Sequence, residues 1–106
     1  MGVSAKLIVR GQAVSLADPS GGDFNAAGDF DRLLPVPAKT FPILARIDPY
    51  RDTAVLSVDM PALASEVALL LQQAKQGPER HGLLRLRALA LAGRAEPDAF
   101  LRFSED

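Results

Sequence analysis

The six residues Asp48-Pro49-Tyr50-Arg51-Asp52-Thr53 gather two carboxylates, a phenol, a guanidinium and a hydroxyl, a composition suited to an acid/base or binding site. A general acid at neutral pH needs one carboxyl pushed upward by burial, and nothing in a turn sequence promises that for Asp48 or Asp52. Each residue also has a plain turn role, with Asp accepting a backbone hydrogen bond and Pro49 fixing the next dihedral. Asp48, Tyr50, Arg51 and Asp52 are therefore candidate binding residues, and no residue is assigned a catalytic role.

Two more groups have functional potential. Gly-Asp-Phe occurs twice, at Gly22 to Phe24 and Gly28 to Phe30. Phe24 and Phe30 either tuck back onto the domain or fill a partner's pocket as aromatic anchors. If they are anchors, replacing both by Ala leaves the fold intact and weakens binding. Arg80, Arg87 and Arg94 fall seven apart, and between 80 and 102 five Arg face only Glu96 and Asp98. Such a stripe is suited to bidentate contact with a carboxylate, a phosphate or an acidic protein surface, or is simply a solvated helix face.

Metal and cofactor chemistry find little support. Asp23, Asn25, Gly28 and Asp31 match the first, third, sixth and ninth positions of a calcium loop, but Ala27 and Leu34 stand at the fifth and twelfth, where strong ligands belong. With Cys 0 and His 1, thiolate chemistry and Cys-containing zinc sites are excluded, and a conventional zinc centre is not expected. His81 is tied to no Ser or acid by a recognisable motif, and no phosphate-binding loop or dinucleotide fingerprint occurs. No cofactor is expected.

Composition sets the class. The 106 residues are 48% hydrophobic and 24% charged, with Lys+Arg 12 against Asp+Glu 13, which suits one globular domain and excludes a disordered chain. A sequence pI near 5.8 argues against nucleic acid. No apolar run approaches the ~20 residues of a membrane helix, and no signal peptide is readable, so a cytoplasmic location is expected.

The elements that must position these groups follow from periodicity. Lys6 to Arg10 and Ala13 to Leu16 read as a hairpin about a Gly11-Gln12 turn of the type II′ kind. A long loop covers about 17–40, opened by Asp18-Pro19-Ser20-Gly21-Gly22 and closed by Pro35 and Pro37, with one helical turn at Asp31 to Leu34. Phe41, Ile43, Ala45 and Ile47 alternate as a strand that the Asp48 to Thr53 turn joins to a second strand, Thr53 to Val58. Asp59-Met60-Pro61 starts a helix whose core face is Leu63, Val67, Leu70, Leu71 and Ala74, whose polar face holds Ser65, Glu66 and the glutamines, and which Gly77-Pro78 ends. Leu69, on the polar side, is a possible contact residue. Within Glu79 to Ala92, Leu84 to Arg87 alternate as in a strand, but length and residue types favour a helix covered on more than one side. Ala99, Leu101 and Phe103 form a last strand.

The expected fold is α+β: an antiparallel or mixed sheet of about five strands with two helices packed on one face, in a single domain 1–106. The function this suits is a non-enzymatic protein-interaction or regulatory module, of which an inhibitor or immunity-type protein is one version, acting on a protein partner or by self-association as an oligomer. The alternative is a small-molecule-binding protein or small enzyme with a pocket under the 17–40 loop, using Arg46, Asp48, Tyr50 and Arg51.

Overall fold

The first and last strands of the chain lie side by side in the middle of its main sheet in the computed structural model, which describes residues 3–34, 36–48, 50–74 and 76–105, and of Arg32 only the backbone. The turn-setting and loop-closing roles expected of Pro49 and Pro35 lie outside the described residues. The architecture is α+β. Strand β1 (Val3–Val9) pairs antiparallel with β2 (Gln12–Ala13) on one side and with β6 (Phe100–Glu105) on the other, and β6 pairs antiparallel with β5 (Thr53–Leu56). A separate ribbon joins β3 (Leu16–Ala17) to β4 (Asp23–Phe24). The strands thus divide into four plus two rather than forming one sheet of five.

Register sorts the side chains. Ala5 lies opposite Phe103, and Leu7 opposite Leu101, which in turn faces Val55; all five are buried. Helix α2 (Pro78–Gly93) packs on β1 and β6 at this inner face and on the 3-10 turn Phe30–Leu33, and helix α1 (Met60–Gln73) packs on α2. The segment Glu79 to Ala92 is therefore helix. Its buried stripe is Gly82, Leu83, Leu86, Leu89, Ala90 and Gly93, with Leu84 and Leu91 half-buried beside it. Two glycines allow this approach. A Cβ at position 82 would collide with the Gly28 carbonyl and lie 3.1 Å from the Phe30 nitrogen; one at position 93 would lie 2.8 Å from Met60 Cε and 2.9 Å from Leu7 Cδ1.

Several local expectations need correction. The first hairpin turns at Arg10-Gly11, with φ of 53° and 81°, so it is of type I′ and begins one residue earlier than the Gly11-Gln12 reading. The 41–47 segment is no strand. Phe41, Leu44 and Ile47 are buried at intervals of three, Leu44–Arg46 is 3-10 helix, and β5 finds its partner in β6 instead. β5 itself stops at Leu56, and Ser57–Asp59 is 3-10 helix. Helix α1 ends at Gln73, and Gly77-Pro78 opens α2, with Pro78 in its first turn where a missing N–H costs nothing. Glu66, assigned to the polar face, is buried: its Oε1 and Oε2 each accept from the Ile43 N–H at 3.1 Å, and Oε1 also accepts from the Leu44 N–H at 2.9 Å.

The long loop is folded onto the domain. Ala27 exchanges both backbone hydrogen bonds with Ala5, at 2.8 and 2.9 Å, so the loop runs along β1 where β2 does not reach. Phe30 meets Phe103 edge to face, with centroids 5.9 Å apart. No helix among the described residues is long and apolar enough to cross a membrane.

Candidate functional site

The densest polar cluster joins this loop to α2. Asp18 follows β3, and its side chain is only 2% exposed. Its Oδ1 accepts from the Ser20 N–H at 3.0 Å and the Ser20 hydroxyl at 2.9 Å; its Oδ2 accepts from Arg85 Nε at 2.8 Å and from a second Arg85 nitrogen. His81 Nε2 lies 3.3 Å from Oδ1. The Ser20 amide, together with the Ser20 hydroxyl and the Arg85 charge, holds the Asp18 carboxyl well below the usual carboxylate range, against the opposing effect of burial. Arg85 also lies over the Phe24 ring, 5.3 Å from its centroid.

Ser20, His81 and Asp18 share residue types with a hydrolytic triad, but not its wiring. Activating a serine requires its hydroxyl to donate to the imidazole, whereas Ser20 donates to the carboxylate. Both carboxylate oxygens are committed to neighbours. The cluster is a latch that fixes the β3–β4 ribbon on α2.

Phe24 and Phe30 lie in the core, 6% and 1% exposed, so neither offers a ring to a partner. The reason is local: the Asp18 latch and the Ala27 bridge pull both Gly-Asp-Phe segments inward. Among the described residues no pocket opens beneath the loop. Arg46 is engaged elsewhere, 3.0 Å from Asp59. Nor do the described residues include a group of three His, Cys, Asp or Glu placed to hold a metal ion.

Within the Asp48 to Thr53 segment, Tyr50, Arg51 and Asp52 are exposed, Asp48 and Thr53 are half-buried, and most polar contacts are local. Asp48 Oδ1 accepts from the Tyr50 N–H at 2.9 Å, the Asp48 N–H reaches Thr53 Oγ1 at 3.3 Å, and Arg51 Nε lies 4.0 Å from Asp48. Asp52 is paired instead with Arg102 at 3.2 Å. The two carboxylates thus have different partners and are not joined as an acid/base dyad. The arginine stripe also divides: Arg80 donates to the Leu71 carbonyl at 2.9 Å and caps the end of α1, while Arg87 and Arg94 are exposed.

What sequence reasoning missed lies on the outer face of the sheet. Ala13, Ile8, Phe100 and Leu56 are successive cross-strand neighbours, forming an apolar row across all four strands. Lys6, Arg102 and Ala54 form the next row. Among the described residues the exposed large apolar side chains are Tyr50 at 78%, Leu56 at 58%, Val58 at 79% and Leu69 at 43%; the first three flank or belong to β5. The signal was present in the alternation of Val55 with Ala54 and Leu56. It became visible only once β6 was known to be β5's partner. No family model, curated protein or solved structure matches the chain.

Proposed function

We propose that the chain is a cytoplasmic, non-enzymatic interaction module that binds protein through the outer sheet face and the edge at β5. The observation that carries this reading is the concentration of Tyr50, Leu56 and Val58, three of the four large exposed apolar residues among those described, around one four-residue strand. Large apolar groups gathered on one surface mark an interaction site more often than scattered ones do. Arg51, Asp52 and Arg102 surround them and supply orientation and encounter rate, the usual part of a charged rim. Tyr50, Arg51 and Asp52 thus keep the contact role their sequence suggested.

The test is a photoreactive side chain placed at position 56 or 58 in the source cells, with Gln72 on the exposed side of α1 as control. Discrete protein adducts at 56 and 58, absent at 72, are expected. Equal labelling at all three positions, or none, would overturn the assignment.

A further inference from the structure

Resting on that reading, the geometry points to a second copy of this chain as the partner: β5 pairs antiparallel with its own counterpart across a two-fold axis near Val55. The edges of the sheet are unequal. On the β1 side, β2 covers part of the strand and Ala27 pairs with Ala5, while β2 itself is two residues long. On the other side, no backbone hydrogen bond reaches the outer edge of β5 among the described residues. Thr53-Ala54-Val55-Leu56 carries no Lys, no Pro and no bulge, so it has none of the sequence devices that keep an edge from pairing, apart from its shortness.

The surface is self-complementary. Antiparallel pairing about Val55 places Ala54 of one copy opposite Leu56 of the other, twice, so each large side chain meets a small one and the apolar row Ala13–Ile8–Phe100–Leu56 ends on Ala54 of the second copy's Lys6–Arg102–Ala54 row. The same symmetry brings the start of one strand beside the end of its counterpart. Tyr50, exposed before β5, then comes near Val58 of the second copy, and Leu56 gains Ala54 as a lateral neighbour. Arg51, its side chain 84% exposed and only loosely held by Asp48, approaches Asp59 of the other copy, a carboxylate it would share with that copy's Arg46. A two-fold contact of this kind closes after two subunits.

The experiment is sedimentation velocity on the full chain over a range of concentrations, with Leu56→Lys and Ala54→Lys, and with cysteine pairs reporting register. The expected species is a dimer of twice 11.3 kDa. Each lysine variant should weaken it at least tenfold while circular dichroism stays unchanged. The chain contains no cysteine, so Ala54→Cys with Leu56→Cys should oxidise to a covalent dimer, because directly opposed cross-strand positions satisfy disulfide geometry, while neither single variant should. This cysteine test stands even if a lysine variant fails to fold.

A monomer at every concentration overturns the second-copy assignment, as does a dimer that survives both lysines or fails to crosslink in this register. The two readings fail separately. A monomer whose photoadducts at 56 and 58 contain a different protein removes only the second copy; a monomer without adducts removes the interaction reading too.

Discussion

Both carboxylate oxygens of Glu66 lie 3.1 Å from the backbone nitrogen of Ile43, a residue 23 positions earlier in the chain. This pairing turns a helix residue into the anchor of the preceding segment. The Ile43 and Leu44 N–H groups stand at the start of a 3-10 turn, where no intrahelical acceptor exists, and the buried anion supplies one. Glu66→Ala leaves both donors buried without it and should cost about 3 kcal/mol, while Glu66→Gln, which keeps an acceptor oxygen, should cost about 1 kcal/mol. Urea unfolding measures the difference, and faster hydrogen exchange at residues 43 and 44 in the Ala variant would locate it.

Asp18 makes the fold sensitive to acid. Its carboxyl in the folded chain titrates below its value in the unfolded chain, so the stability it contributes is complete above about pH 3.9 and is lost as pH falls below that value. The groups facing it are Ser20, His81 and Arg85. Asp18→Asn should be less stable than the parent at pH 7, and the gap should close as the solution is taken from pH 4 towards pH 2. Denaturant midpoints at pH 7, 4, 3 and 2 provide the check; a constant gap would refute it.

Much of this molecule could be read from its sequence, and the boundary has physical causes. The first helix and the central strands follow from periodicity, because each presents one apolar face, and the second helix follows from its length and residue types; together they give the layered α+β arrangement. The 41–47 segment misled because Phe41, Ile43 and Ile47 satisfy period two, while Phe41, Leu44 and Ile47 satisfy period three equally well. Glu66 decides between them, and no local pattern announces a carboxylate 23 residues away. The Asp18–Arg85 latch spans 67 positions and was hidden for the same reason. For the site, the turn at Asp48 to Thr53 was visible by composition, whereas the apolar row is a property of strand order, which one sequence does not display.

Phe30 tests the placement of the loop. It is 1% exposed and packs against Phe103, so Phe30→Ala should cost about 3–5 kcal/mol. Phe24, also buried but near the surface under Arg85, should cost less. Thermal melts of the two single variants suffice. Unchanged melting temperatures would mean that the loop does not pack as described.

Gly82 and Gly93 test how closely α2 approaches its neighbours. At position 82 the obstacle is the backbone of Gly28 and Phe30, which cannot move without disturbing the loop; at 93 it is chiefly the flexible tip of Met60. Alanine has the higher helix propensity at both places, so a surface helix would gain from either change. Here Gly82→Ala should destabilise by about 2–3 kcal/mol and Gly93→Ala by about 1 kcal/mol. The order of the two losses, read from denaturant midpoints, is the discriminating result.

Strand β6 lies between β1 and β5, and its register with β1 runs from Val3 opposite Glu105 to Ile8 opposite Phe100. During synthesis the nascent chain therefore carries two strands with an empty lane between them until residues 100–105 leave the ribosome. At about 5–20 residues per second, Leu7 and Val55 wait several seconds for Leu101, the residue that covers both. A chain stalled before that point lacks the middle of its sheet and leaves Leu7 and Val55 without Leu101 between them. Closure of this sheet thus waits for residues 100–105, the strand that both of its neighbours share.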